Sequence, residues 1–459
     1  MSIGSLKRPG RRVALAGVAA LCVSVLVGCS GGSPAATGGA STPTPAPAAP
    51  VTLTFRTWDD NAAKAYQQSF ADFTKANPNI TVTVDTVPWA DYFTKIRTDV
   101  ASGSAPDIYW LNNSNLGAYA QGGQLVDITA LLPDEMAGWA QPIVQQFTLD
   151  GKLWGVPQTS DGGIAVYYNA DLLAKAGLTA ADISSLTWSP SGGDNSLLTV
   201  AQKLTLDSTG KSADQAGFNP SKIVQYGYNA AQDLQAIYLP FIGSNGGTFQ
   251  NADSTFTFTD PKTVEAFSYM VDLINKYHVA PSAADTNTNG DFSLNQFLQG
   301  KMALFQSGLY NLSNIEQNAT FKWAAVELPA GPAGAVSVSN GVAVVGNAKS
   351  ANADAVAKVL AWLGSQQGNE AIGSTGANLP AVTAAQQTYR DYWAGKNVDL
   401  TPFFSVLDSG VTIPAPTGAN FGNAYAAYQP ILNEVFLGRT PVAQGMQAAE
   451  TAANAALAG

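Results

Sequence analysis

Cysteine is almost absent from this 459-residue chain: Cys22 and Cys29 are the two, both before residue 30. The body that follows therefore offers no disulfide, no thiol nucleophile and no zinc–thiolate site. Histidine is scarcer still. His278 is the single one and follows a helical stretch (Leu273, Ile274, Tyr277), where an imidazole beside a helix C-terminus is an ordinary placement. Serine–histidine–aspartate catalysis would rest on that one ring. Charged residues are thin, at 12%, and unbalanced. The first 28 residues hold four basic and no acidic side chains, so the whole-chain net charge of −10 becomes −14 beyond them. That argues against a nucleic-acid partner and against electrostatic adhesion to anionic lipid. No apolar run reaches the ~18 residues of a spanning helix. There is no Gly-rich phosphate loop ending in Lys-Ser/Thr, and no internal repeat is visible. No cofactor or metal is expected.

What is present begins at the N-terminus. Lys7, Arg8, Arg11 and Arg12 precede the uncharged run Val13 to Val27, the n-region and h-region of a secretory signal. Leu26-Val27-Gly28-Cys29 resembles the lipobox of bacterial lipoproteins, which implies cleavage after residue 28 and a lipid on Cys29. The Arg11-Arg12 pair lacks the flanking pattern of a twin-arginine signal, so general secretion is expected. Ser30 to Pro50 is an uncharged Gly/Ser/Ala/Thr/Pro tether with too little apolar surface to fold. From Val51 on, a hydrophobic content of 46% and aromatic content of 10% in the whole chain supply an ample core. The length fits two or three domains, or two large lobes.

Along the body, Val51–Thr57 alternates as a strand, and Ala62, Tyr66, Phe70 and Phe73 share one helical face. Ile80, Val82 and Val84 form a second strand, Phe93, Ile96 and Val100 a second helical face, and Asp107–Leu111 a third strand. Strand and helix in alternation predict an α/β, doubly wound parallel sheet, whose ligands sit outside the carboxyl ends of the strands. That places Trp58, Asp59, Asn112 and Asn113 at one crevice, although the two asparagines could simply cap the next helix. Further strands are expected at Trp154–Pro157, Ile164–Tyr168, Phe256–Phe258, Met302–Phe305, Trp323–Leu328 and Val336–Val345, and helices at Asp171–Ala176, after Asp260-Pro261, at Phe292–Leu298 and through most of the C-terminal part. The alternation implies two α/β lobes joined by several chain crossings.

Several stretches, weak singly and specific in their order, carry a resemblance: Pro106-Asp107-Ile108 with the asparagine pair; Tyr167 through Asn169-Ala170-Asp171 to Gly177-Leu178; Asn245-Gly246-Gly247; Phe297 through Gly300-Lys301-Met302-Ala303 to Gly308 and Tyr310; Ala361-Trp362-Leu363; and Leu379-Pro380. In these the chain resembles the extracellular solute-binding proteins of ABC importers, in the carbohydrate-binding, maltose-binding-like family. The resemblance implies a two-lobed periplasmic-binding-protein-like fold over residues 51–459. Lobe 1 would span roughly 51–160 with a later piece around 311–365, and lobe 2 roughly 161–310 with the C-terminal helices. It implies capture of a sugar without bond cleavage, delivery to permease subunits, monomeric behaviour, and a lipid anchor on the outer face of the cytoplasmic membrane.

Sugar recognition needs carboxylates and carboxamides for paired hydroxyls, and aromatic rings for the C–H faces. Asp161, between two short strands in a Gly-flanked loop, matches the family's sugar-binding aspartate; a turn-capping role is its alternative. Tyr168, Asn245, Gly246, Gly308, Tyr310, Asn340 and Gly341 complete the candidate set, each with a structural alternative in sheet or turn. Trp110, Trp323 and Trp362 read as core. The chain departs from the family at Tyr310, where tryptophan is common, at its glycine pair (Asn340-Gly341), and in the Ser-Pro-Ser-Gly-Gly-Asp insertion after Trp188. Two rivals are a binder of peptide, polyamine or phosphorylated compounds, and an anchored glycoside hydrolase, which would need two carboxylates ~5–9.5 Å apart.

Overall fold

The computed structural model describes residues 49–458 apart from 161, 410 and 419. The expectations for the leader, for Cys29, for nearly all of the tether and for Asp161 lie outside the described residues.

The N-terminal third folds as its periodicity dictates. Strand β1 (Val51–Thr57) leads into helix α1 (Asp60–Ala76), β2 (Ile80–Thr86), α2 (Trp89–Ser102), β3 (Ile108–Asn112) and α3 (Asn113–Gln121). The α1 face foreseen from spacing (Ala62, Tyr66, Phe70, Phe73) is buried against the sheet core. Helix α2 ends where Gly103 turns left-handed at φ 73°. β1 pairs in parallel with both β2 and β3. On the far side of β3 lie β8 (Gly341–Gly346) and then β4 (Val156–Ser160), with β8 antiparallel to both neighbours. The five-stranded sheet is therefore mixed, and its fourth strand comes from late in the chain. Helix α7 (Ala353–Gly364) follows and covers that sheet, with Val356, Val359, Leu360 and Leu363 buried in the first core.

The second lobe is built on three antiparallel strands with β5 (Ile164–Asn169) between β6 (Leu304–Gly308) and β7 (Trp323–Val326). Both faces of β5 are covered. Ile164 and Val166 point into a core with the helices α4 (Ser196–Leu204), α5 (Pro261–Asn275), α8 (Phe421–Phe436) and α9 (Val442–Ala458). Ala165 and Tyr167 point the other way, into a cluster with Phe297, Phe305, Tyr389, Trp393 and Phe403. A strand buried on both faces reads as a continuous apolar run, which Ile164–Tyr168 is.

Several expectations need correction. The strand foreseen over Val336–Val345 begins only at Gly341, and Ile372, Ala377, Val382 and Ala385, from the C-terminal part expected in lobe 2, pack in the first core. The piece around 311–365 is divided between lobes: β7 pairs with β5 in the second sheet, and only β8 and α7 join the first. Local hydrophobicity marks a strand without naming its partner. Phe256–Phe258 is not a strand; Phe256 makes a single bridge with Gln250, and its ring and that of Phe258 anchor a loop in the second core.

Candidate functional site

Trp58 and Asp59 follow directly on strand β1, at the turn into α1. Asp59 has extended backbone and caps α1, its Oδ1 accepting from the Asn61 and Ala62 amides at 2.7 and 2.9 Å. Enclosure at this position pushes the carboxyl above its ordinary pKa, against those two amides and the Asn378 amide, which pull it down. Trp58 stands half-buried in an aromatic wall. Its ring centroid lies 4.8 Å from Trp110, 4.9 Å from Tyr92, 5.2 Å from Trp89 and 5.7 Å from Phe93. The wall is held from behind. Trp110 Nε1 donates to Tyr66 Oη at 2.9 Å, which donates to Gln158 Oε1 at 3.0 Å, whose amide donates to Leu363 O at 3.0 Å. Trp110 is thus core, as expected, and also touches the cleft.

Trp58, Asp59, Trp89, Phe93 and Trp110 line a cleft of about 1610 Å³ shared by both lobes. Of the sequence candidates, Trp58, Asp59, Asn112, Tyr310, Asn340 and Gly341 meet there. Asn112 sits at the end of β3, its Oδ1 accepting from Asn115 Nδ2 at 2.8 Å. Asn340 is buried, and its Oδ1 has no hydrogen-bond partner in the protein. Gly341 lets β8 approach β4: a Cβ there would collide with the Thr159 carbonyl.

The other candidates stand elsewhere. Asn113 is buried and donates from Nδ2 to Pro416 O at 2.9 Å. Tyr168 is half-buried in the middle of the second sheet, opposite Leu304 and Ala324, and packs on the second core. Asn245 closes a helix, donating to Lys262 O at 2.7 Å and Glu265 Oε2 at 3.1 Å, and Gly246 makes the turn after it at φ 77°. Gly308 is buried beneath the Tyr310 ring and accepts from Tyr167 Oη through its carbonyl at 2.9 Å, so it positions the cleft residue Tyr310 without lining the cleft itself.

Other cleft residues escaped the sequence reading. Asp233 caps a π-helical turn (Leu234–Tyr238), its Oδ1 accepting from Gln235 N at 2.9 Å and Ala236 N at 2.8 Å; burial raises its pKa. It enters from the second lobe as Asp59 enters from the first. A polar break, Gln232-Asp233, before an apolar run was the available signal. Asn378, directly before Leu379-Pro380, is buried with its Oδ1 unpartnered. Asn229 is locked to β6, exchanging bonds with Gln306 O (3.0 Å) and Gln306 N (2.7 Å). Asn423, Tyr425 and Gln429 come from α8, several hundred residues from the first strands.

The family follows from comparison. The model of the bacterial extracellular solute-binding protein family matches residues 58–370. The chain belongs to that family. UspC of M. tuberculosis has 51% identity and a TM-score of 0.68, with 88% of this chain and 100% of that one covered. An ABC substrate-binding protein from Listeria monocytogenes, in complex with cycloalternan, superposes with a TM-score of 0.74 at 23% identity, over 88% of this chain and 98% of the other. The maltooligosaccharide ABC transporter solute-binding lipoprotein of Streptococcus pneumoniae is 23% identical over 404 residues, 87% of this chain and 86% of its own length. The two-lobed fold is that of these solute-binding proteins. Among the described residues no helix is long and apolar enough to cross a membrane.

Proposed function

We propose that this protein captures a sugar or oligosaccharide between its lobes and hands it to the permease of an ABC importer, acting as a monomer held to the outer face of the membrane by a lipid on Cys29. The observation that carries the reading is the pair of buried acceptors, Asn340 Oδ1 and Asn378 Oδ1, left without protein partners in a cleft walled by Trp58, Trp89 and Trp110. Buried acceptors require donors, and rings require C–H faces; a pyranose brings both. The names of relatives that bind maltooligosaccharides and maltodextrin point the same way. The ligand is released unchanged, with no bond broken. Asp59 and Asp233 each use an oxygen to cap a helix, a task that suits fixed acceptors better than a proton shuttle.

The test is a thermal-shift screen of the residue 49–459 body against a carbohydrate panel. A sugar at 100 times its Kd should stabilise the fold by ~2.7 kcal/mol. Asn340→Ala and Asn378→Ala should each weaken that sugar by roughly 2- to 13-fold, the range of a neutral hydrogen bond, while the unliganded melting temperature stays close to wild type. Release of reducing sugar from any panel member would replace capture with hydrolysis.

A further inference from the structure

The floor of the cleft is rich in acceptors: the Asp59 and Asp233 carboxylates border it, and the unpartnered oxygens of Asn340 and Asn378 lie buried in its lining. One arm is different. Between α2 and α3 the cleft continues over the first lobe, past Phe93, Arg97 and Val100 on one helix and Ala118, Tyr119 and Gly122 on the other. Positions 93, 97 and 100 share a face of α2, and 118, 119 and 122 a face of α3, so the arm is a groove between two helices. The small residues Ala118 and Gly122 keep it open.

Arg97 and Tyr119 bring donors to it, and neither meets a carboxylate among the described residues. The Tyr119 hydroxyl is buried, with the residue 6% exposed, and has no hydrogen-bond partner. Burial pushes its pKa up to about 12, with Arg97 pulling it down, so it remains protonated. Arg97 is exposed and donates from Nη2 to Thr94 Oγ1 at 3.1 Å, and it makes no ion pair among the described residues. Its neighbours one turn away, Phe93, Thr94, Val100 and Ala101, are uncharged, whereas nearby Lys95 pairs with Asp99 at 3.2 Å. Asp99 is engaged by Arg56 as well, at 2.6 Å, and neither it nor Asp91 lines the groove. The acids of the cleft, Asp59, Asp60, Asp233 and Asp291, come from other elements.

We infer that this arm receives an anionic group, a carboxylate or a sulfate or phosphate ester, carried by the sugar that the cleft floor holds. The ligand is then an acidic oligosaccharide, with its hydroxyls on the acceptors of the floor and its anion on Arg97 and Tyr119. An anion is acceptor-only, the complement of a guanidinium fork and a phenol, and charge-assisted bonds are the stronger kind. The inference rests on the sugar-capture reading above.

Matched disaccharides separate the two. The members of each set differ at C6 of the terminal hexose: CH2OH, carboxylate, 6-sulfate or 6-phosphate. Calorimetric titration at low salt should show the preferred anion binding about 10-fold tighter than its neutral partner, with the gap narrowing as salt rises. The identity of that anion distinguishes uronate from ester. Arg97→Ala should bring acidic and neutral members to within about 2-fold while leaving neutral affinity and unliganded melting unchanged, and Tyr119→Phe should remove part of the preference. Neutral binding with no acidic preference, or a preference that survives Arg97→Ala, overturns the inference and leaves capture standing. Binding of no member to the wild type overturns both.

Discussion

The Asp59 carboxylate uses one oxygen to close the first turn of α1 and still borders the cleft. Its raised pKa means that the folded state holds the proton more tightly than the unfolded chain does. Its contribution to stability is therefore most favourable in acid and is lost as pH rises through the folded pKa. Asparagine caps a helix as well as aspartate and carries no charge to enclose. Asp59→Asn should then melt above wild type at pH 7, with the difference shrinking toward pH 4, in scanning calorimetry at both pH values. It should also bind sugar roughly 10- to 150-fold more weakly for each charged bond lost. A lower melting temperature at pH 7 would show that the negative charge helps the fold. The sequence announced Asp59 and Trp58 because they follow a strand that periodicity marks plainly. It could not announce Asn378 or Asp233, whose neighbours spell an ordinary cap or turn and which reach the cleft only through long-range packing.

Among the elements, those with a repeating face were readable. The 62-66-70-73 stripe of α1 and the 264-267-271-274 stripe of α5 both lie against a core. The excursion between α4 and the second sheet has no such stripe and is organised by one carboxylate. Asp207 Oδ1 accepts from Thr209 N (2.8 Å), Thr209 Oγ1 (2.7 Å) and Lys211 N (3.1 Å), while Oδ2 accepts from Asn219 N at 2.9 Å. The Thr209 hydroxyl, with the backbone amides of Asn219, Thr209 and Lys211, holds its pKa down at about 2, against burial. A depressed carboxyl stabilises above its unfolded pKa, so this support is complete above about pH 4 and fades as pH falls toward 2. Protection of the amides across 207–222, taken relative to their intrinsic exchange rates, should fall over that window in the wild type, and should already be low at pH 7 in Asp207→Ala. Unchanged exchange in the variant would mean that the loop holds without its hub.

For the whole molecule, two of the side-chain bonds that cross between the lobes are separate handles. Gln317 Nε2, on helix α6 (Leu312–Asn318), donates to Asn61 Oδ1 at 3.2 Å from the far lobe, and Asn113 reaches Pro416 on another side. A weak polar latch biases a two-state closure without dominating it. Gln317→Ala should enlarge the sugar-free radius of gyration in small-angle scattering, and saturating sugar should restore the compact value. An identical radius with and without the substitution would remove the latch. The anchor can be tested separately: Cys29→Ala should release the protein from the membrane or leave its signal uncleaved, since nothing in its charge favours anionic lipid. Retention of a signal-free Cys29→Ala protein in the membrane fraction would end the lipid assignment. The parallel part of the first sheet, β1 to β3, was readable because those strands are consecutive; the split of residues 311–365 was not, since no local pattern tells β7 from β8.

The position of β8 has a further consequence, in time. It lies between β3 and β4 in the first sheet, yet it follows β4 by about 180 residues. At ~5–20 residues per second of synthesis, the earlier strands wait on the order of ten to thirty-odd seconds for their missing neighbour. Until then β3 and β4 both have unpaired edges and the lobe cannot close its core. Such a pairing is slow to form because a long loop must be ordered before any contact rewards it. The first lobe is thereby kept from locking early, by nothing more than the order in which its strands are written.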